Sequence, residues 1–339
     1  MNKTIWWDLT NVPHVNFLLP FIQQFSERFN YQFSIRDFAE TRSLFEQRIG
    51  EDYLLVGKHK GENKVKKVIG VFERAVGLNR KLSQFDIKIS VGGDASGMVA
   101  KWRNKKSITF DDNEKAPNWR YSRFTDFAFW PRAISTKVIL RQGFKTNKLY
   151  QYNGFKEDIY LADYTPDETF LSSLPFNNYV VVRPENIQAN YVTGNNLSIV
   201  PKLLEQLDNK GVNVLFLPRY EQDKIYAKGK RNIFIPDVAI NGMDACYYSN
   251  AVLTGAGTMA REAACLGVPA FSFYAGKELL TVDKKMINDG WMFFSRDPSV
   301  LIEQFLKSSK REPDLARCML VQQEVKSKLE EVVSKFIVK

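Results

Sequence analysis

The residues able to do chemistry in this chain stand where short apolar runs give way to glycine, proline or polar residues. His14 is the first, one of two histidines in 339 residues. It follows the run Thr4 to Leu9, in the loop Thr10-Asn-Val-Pro-His-Val-Asn16. An imidazole titrating near neutral pH at that place could take a proton from an acceptor hydroxyl. A carboxylate such as Asp94, in the turn Gly92-Gly-Asp-Ala-Ser-Gly97, would orient the ring and stabilise its charged form. Packing or capping of the loop is the alternative role for His14. Asn11, Asn16 and Asp112 are further polar residues just past apolar runs and are candidates for contact with an acceptor. In the second half, Arg183 and Arg219 each close an apolar run and adjoin Pro184 and Pro218. Two guanidinium groups converging there would clamp a diphosphate; ion pairing or helix capping would use them equally well.

The stretch Leu253-Thr-Gly-Ala-Gly-Thr-Met-Ala-Arg-Glu-Ala-Ala-Cys-Leu-Gly-Val-Pro-Ala-Phe-Ser-Phe273 reads as strand, glycine turn, helix, glycine stop and strand. Gly255 and Gly257 let the chain turn and approach a neighbour closely. A helix opening at Thr258 and Met259 would present unpaired N–H groups and the positive end of its dipole, a site for phosphate. Glu185, Arg261 and Glu262 stand where a ribose or sugar hydroxyl would be bound. The same spelling matches the loose Gly-x-Gly-x-x-Ala dinucleotide pattern, but no ribose-binding acid ends the strand that follows, which weakens an oxidoreductase reading. The chain has no phosphate-binding Gly-x-x-x-x-Gly-Lys-Ser/Thr, no Asp-x-Asp, no Gly-x-Ser-x-Gly and no Cys/His cluster with metal spacing. No metal and no cofactor are therefore expected.

The elements that must position these residues alternate. Strands are expected over Thr4 to Leu9, Tyr31 to Arg36, Asp52 to Val56, Phe85 to Val91, Ser107 to Phe110, Phe127 to Pro131 and Lys137 to Leu140, with helices between them. The stretch from Gln151 to Asp167 is polar, turn-rich and aromatic, and Asp163-Tyr-Thr-Pro-Asp167 within it resembles a linker, where the domain junction is placed. A second series follows, with strands near Tyr179 to Arg183, Asn213 to Leu217, Asn232 to Ile235, Ala251 to Thr254 and Ala270 to Phe273. A long charged helix, Asp314 to Val338, ends the chain. This order predicts two doubly wound, Rossmann-like α/β domains of parallel sheet, over 1–160 and 170–315, with a terminal helix over 316–339. Ligands would sit in a cleft at the carboxyl ends of both sheets.

The composition is that of a globular protein, 44% hydrophobic and 25% charged, and no apolar run approaches a membrane span. The N-terminus lacks a signal-peptide core, and three cysteines without paired spacing read as free thiols, so a cytoplasmic protein is expected. A net charge of +10 favours polyanionic partners. The clusters Lys58 to Lys67 and Lys101 to Lys106 lie near Phe72, Trp102 and Trp119. That mixture suits peripheral contact with an anionic membrane surface, although solvated loops would look the same. No spelling of a nucleic-acid-binding module accompanies the charge, which argues against sequence-specific nucleic-acid recognition.

The segments Trp7-Asp-Leu-Thr-Asn-Val-Pro-His-Val-Asn-Phe17, Tyr179-Val-Val-Val-Arg-Pro-Glu185, Leu217-Pro-Arg-Tyr220 and Gly255 to Pro269 resemble the DUF354 family. That family is related to GT-B glycosyltransferases and to non-hydrolysing UDP-N-acetylglucosamine 2-epimerases, and the resemblance runs through nearly the whole chain. It implies a GT-B fold of two Rossmann-like domains facing a central cleft, an acceptor domain first and a donor-binding domain second, with the terminal helix crossing back to the first. It implies a diphosphate-activated sugar donor and a saccharide or lipid-linked acceptor. His14, a few residues before Pro20, is similar to the base histidine of some inverting members. The epimerases typically open with Gly-x-Arg-Pro-Glu after strand one and use a histidine in the second domain. This chain has Asn-Val-Pro-His-Val instead and no histidine beyond His59. Both departures favour transfer, with a sugar-nucleotide epimerase and a non-catalytic nucleotide- or carbohydrate-binding protein as the alternatives.

Overall fold

Runs such as Ile5-Trp-Trp and Val180-Val-Val are too short for helices and apolar on both faces, as strands of a covered parallel sheet must be. The computed structural model describes residues 3–37, 41–58, 64–186, 198–238 and 240–337. His59 and much of the basic loop after Lys58 lie outside the described residues. Two units are present, one made of 1–163 with 316–339 and the other of 164–315.

The first unit alternates strand and helix: β1 Thr4–Leu9, α1 Val12–Phe25, β2 Asn30–Asp37, α2 Thr41–Arg48, β3 Tyr53–Lys58, α3 Lys64–Lys81 and β4 Ile87–Val91. It continues through α4 Asp94–Trp102, β5 Lys106–Phe110, α5 Trp119–Ser122, β6 Phe127–Pro131, α6 Thr136–Arg141, β7 Leu149–Tyr152 and α7 Lys156–Leu161. The seven strands pair in the order β3-β2-β1-β4-β5-β6-β7, all in parallel. The second unit contains β8 Val180–Arg183, α8 Val200–Asn209, β9 Val214–Phe216, β10 Ile233–Phe234, α9 Gly242–Tyr248, β11 Ala251–Thr254 and α10 Gly257–Cys265. It ends with β12 Ala270–Ser272, α11 Thr281–Asn288, β13 Met292–Phe294 and α12 Pro298–Leu306. Its six strands run β10-β9-β8-β11-β12-β13, again all parallel.

Strand order reverses at β1/β4 in the first sheet and at β8/β11 in the second. At such a switch point the connections leave to opposite sides and open a crevice beyond the carboxyl ends of the strands. The loops there are Thr10-Asn11 with Gly92-Gly93, and Pro184-Glu185 with Gly255-Ala256. The final helix, α13 Leu315–Ile337, belongs almost wholly to the first unit. Arg28 grips Glu330 with two nitrogens at 2.7 and 2.6 Å, Tyr150 reaches Glu324 at 2.7 Å, and Gln322 donates to the Ile159 carbonyl at 2.8 Å.

One local expectation fails. The run 137–140, expected as a strand, lies in helix α6. Its apolar residues are too few to show a period, and of them only Ile139 is buried. In the polar stretch 151–167 the run 163–167, expected as linker, lies in no helix or strand, while the first part carries the end of β7 and all of α7, where the Asp158 carboxylate accepts the Phe155 N–H at 2.8 Å. Polar composition there reflects helix capping and ion pairing, not a lack of structure.

Candidate functional site

In the first unit the switch point is lined by charge. Asp8, at the end of β1, is fully buried and pairs with Arg74 of α3 at 2.5 Å, while Ser34 donates to it at 2.7 Å. Burial alone would raise this carboxyl, but the Arg74 charge and the hydrogen bonds outweigh it and bring the pKa to about 2. Beside it, Lys88 of β4 is also fully buried, and burial lowers its pKa to about 8. Gly93 has φ 118°, a conformation that a side chain strains against, and a Cβ there would lie 3.3 Å from Lys88 Nζ.

His14 stands in the first turn of α1, half-buried. Its Nδ1 lies 3.3 Å from Thr10 Oγ1 and its Nε2 lies 3.4 Å from Asn11 Nδ2, whose amide oxygen accepts from Arg36 at 3.1 Å. The Asn11 amide N–H directed at Nε2 suits the Nδ1–H tautomer, whereas the Thr10 backbone N–H, which donates to Nδ1 at 3.4 Å, suits the Nε2–H tautomer, so the contacts do not assign the ring proton to one nitrogen. Burial, reinforced by the positive charge of Lys156, lowers the His14 pKa from 6.5 to about 3; Asp8 and Asp112 act against that shift. The expectation of an imidazole titrating near neutrality, oriented by Asp94, is thus corrected. Asp94 makes no hydrogen bond to His14 among the described residues. It faces Arg120 at 4.0 Å, and burial pushes its carboxyl up against the pull of Arg120 and Lys88.

The candidate acceptor-side residues divide. Asn11 is engaged as described, and Asp112 is buried and ion-paired with Lys156 at 2.8 Å. Asn16 is half-buried on α1, with no hydrogen bond among the described residues. Next to Asp112, the Asp111 carboxyl is raised to about 7 by burial and by the Asp112 charge, against the Tyr121 hydroxyl and two backbone N–H groups that donate to it.

In the second unit, Thr254 at the end of β11 accepts the Ala256 N–H on its hydroxyl at 2.9 Å and so shapes the turn into α10. The N–H groups of Gly257, Thr258 and Met259 then open the helix, where no carbonyl one turn earlier can accept them. Gly255 does not need glycine for its φ. A Cβ there would lie 2.5 Å from the Glu185 Cα, so the close approach inferred for this glycine is to the backbone after β8. A Cβ on Gly257 would meet only the end of the Arg261 side chain, at 3.1 Å.

Glu185 and Arg261, expected on the donor sugar, turn inward instead. Glu185 is 2% exposed; Ser198 donates to it at 2.7 Å and the Ile199 N–H at 3.2 Å, while Arg296 lies 3.3 Å away. It thereby ties β8 to the start of α8. Arg261 is buried and paired with Asp283 of α11 at 2.7 Å, with Thr258 Oγ1 3.5 Å from its guanidinium. Glu262 is buried on α10, and its charge, opposed by that of Arg183, acts with burial on Cys246. Arg183 closes β8 in register with Thr254, and Gly255 donates to its carbonyl at 3.0 Å.

Arg219, one strand away from the switch point, differs from Arg261. It follows β9, is half-buried, and makes no ion pair among the described residues; its Nε is buried without a partner. Its backbone is fixed by Asp223, which accepts the N–H groups of Arg219 and Tyr220 at 3.0 and 2.9 Å. Sequence reasoning missed Arg74, Lys88, Lys156, Asp283 and Arg296. Arg74 left one trace, a lone arginine between Val71, Ala75 and Leu78 on the apolar face of α3. Among the described residues, no three His, Cys, Asp or Glu side chains gather to hold a metal, and no helix is long and apolar enough to cross a membrane.

A family model described as "Protein of unknown function (DUF354)" matches residues 3–333. An uncharacterised protein of Methanocaldococcus jannaschii is 29% identical over 325 residues, covering 89% of this chain and 90% of its own. Among solved structures, UDP-N-acetylglucosamine 2-epimerase from Rickettsia bellii superposes with a TM-score of 0.72 at 14% identity, over 99% of this chain and 97% of its own. The Methanocaldococcus jannaschii epimerase in complex with UDP-GlcNAc and UDP gives 0.70 at 14% identity, over 97% and 100%. The glycotransferase of kitacinnamycin gives 0.64 at 8% identity, over 99% and 100%. At these identities the likeness is one of fold, the GT-B pairing of two Rossmann-like domains.

Proposed function

We propose that the chain, which belongs to the DUF354 family, is an inverting, metal-independent glycosyltransferase. It moves a sugar from a diphosphate-activated donor, a sugar nucleotide or sugar diphosphate, to a polysaccharide or glycolipid acceptor. The observation that carries this reading is Arg219, a half-buried guanidinium with no ion pair among the described residues, at the same sheet edge as the unpaired N–H groups of α10. The ends of β9 and β11 are two strand spacings apart, about 10 Å. An arginine side chain and a diphosphate together span that gap. Arg219, Arg183 and the N–H groups of Gly257 to Met259 would stabilise the charge that develops on the leaving diphosphate. Glu262 remains the candidate for a donor hydroxyl.

In the proposed step an acceptor oxygen forms a bond to the anomeric carbon while the bond to the diphosphate breaks, and the acceptor proton passes to the His14 imidazole. A base with a pKa of about 3 is weak in the free protein. Bound anionic substrate that neutralises Lys156 and Arg36 would raise its proton affinity. The rival reading, epimerisation of a sugar nucleotide, has in its favour the epimerases among the structures of similar fold; against it stands the lack of any histidine in the second half of the sequence.

The test begins with a thermal-shift panel of nucleoside diphosphates and sugar nucleotides, since a bound donor raises the melting temperature. The shifting donor is then offered with saccharide and lipid-linked acceptors. Transfer that His14→Ala abolishes supports the reading. Deuterium entering C2 of the sugar without acceptor would assign epimerisation, and undiminished transfer by His14→Ala would remove His14 as base.

A further inference from the structure

Helix α3 is apolar on two sides. On the inner side Ala75 and Leu78 pack with Trp6, Val56 and Phe85 in a core cluster, with Val71 against it. On the outer side Val68, Ile69 and Phe72 are 56%, 50% and 56% exposed. Trp102, at the end of α4, is 46% exposed and meets Phe72 edge-on, with ring centroids 6.1 Å apart. A helix that only faces water carries polar residues on that side. Large apolar side chains grouped in this way mark a surface that something covers.

The charge around the patch narrows the occupant. Apart from Arg74, which is buried and paired with Asp8, helix α3 contains five basic residues, three of them Lys64, Lys66 and Lys67 in its first turn, and one acid, Glu73. Lys101, beside Trp102, is exposed. A second copy of the chain meeting this face across a two-fold axis would set the two lysine-rich helices against each other. Four side chains also fall well short of the ~800 Å² per partner of a stable interface. Aromatic residues among lysines suit the headgroup region of a bilayer, where the rings enter the interface and the ammonium groups meet lipid phosphates.

We propose that the face formed by α3 and the end of α4 rests on an anionic lipid surface, with Phe72 and Trp102 inserted, Lys101 over lipid phosphates, and the positive charge of the first turn of α3 adding to the attraction. The proposal is independent of the sugar-transfer reading. The intact chain is sedimented with vesicles of phosphatidylcholine alone and of phosphatidylcholine with phosphatidylglycerol. It should pellet only with the second and be released by salt. Phe72→Ala with Trp102→Ala should weaken partition roughly tenfold or more. Lys66→Gln with Lys67→Gln should weaken it by about fivefold per lysine. Circular dichroism and the melting temperature of the aromatic variant should match the parent, because Phe72 and Trp102 lie outside the core. Failure to pellet, equal pelleting with both vesicles, or variants that partition like the parent overturn the proposal. So does a dimer in sedimentation velocity that Phe72→Ala dissociates, which would assign the face to a second copy.

Discussion

Replacing His14 should remove a specific part of the protein's acid sensitivity. The folded pKa of His14 is about 3 against 6.5 for a free imidazole. Between those values the unfolded chain binds a proton that the folded chain does not, so stability falls as pH falls from 6.5 towards 3. At pH 5 the difference is one and a half pH units, which is about 2 kcal/mol. Asp8, whose folded pKa is also depressed, adds its own loss only below its unfolded value of 3.8, and so stays out of this window. Asp111 titrates within it in the opposite sense, but it is common to parent and variant and cancels in the comparison. Urea unfolding at pH 7 and pH 5 should therefore show the parent losing about 2 kcal/mol more than His14→Gln. Proton NMR gives the same quantity directly, because only His14 and His59 carry imidazoles and His59→Gln leaves one. Its C2–H resonance should stay flat from pH 8 to pH 5. A midpoint near 6.5, or the same pH dependence in parent and variant, would refute the burial and Lys156 argument.

Three other substitutions separate binding from support. Arg219→Met should weaken the thermal shift by the best donor, corresponding to a loss of about 1.5–3 kcal/mol for a charge-assisted contact, and leave the unliganded melting temperature nearly unchanged. Glu185→Ala should destabilise the unliganded protein by about 3 kcal/mol in urea, because it strands Arg296 and frees the start of α8; a normal melt with a raised KM for donor would instead place Glu185 on the sugar. Gly255→Ala should cost about 1–3 kcal/mol by calorimetry, since its Cβ would collide with the Glu185 backbone.

Much of the fold was legible because its signals are local. Apolar runs of strand length, a turn after each and a helix between them specify parallel sheet whatever the distant contacts are. The misreadings fall where locality fails. Residues 137–140 are too few to show a period, so a buried helix segment and a strand look alike. In β4 the alternation Ile87-Lys-Ile-Ser-Val91 suggests that Lys88 and Ser90 face water. The sheet is covered on both faces, and both residues are fully buried. The buried ammonium of Lys88 depends on Ser107, 3.3 Å away, and on the charge of Asp8, neither of which its neighbours in sequence announce.

The site shows the same division more sharply. Position was readable, because residues just past strand ends can be found by counting along the chain: His14, Arg183 and the α10 turn stand at the switch points, and Arg219 stands one strand away. Role was not, because it depends on which charges have already found partners. Arg219, Arg261 and Glu185 read alike in sequence. The fold gives Arg261 to Asp283 and Glu185 to Ser198, Ile199 and Arg296, and brings no ion pair to Arg219 among the described residues. A buried charge that is already compensated costs several kcal/mol to strip of its partner. It therefore holds the loop rather than the ligand. A charge without such a pair is the one whose desolvation a phosphate oxygen would offset. By that criterion the proposed donor site would centre on Arg219 and the first turn of α10, with the paired acids and arginines around them as the frame of this end of the sheet.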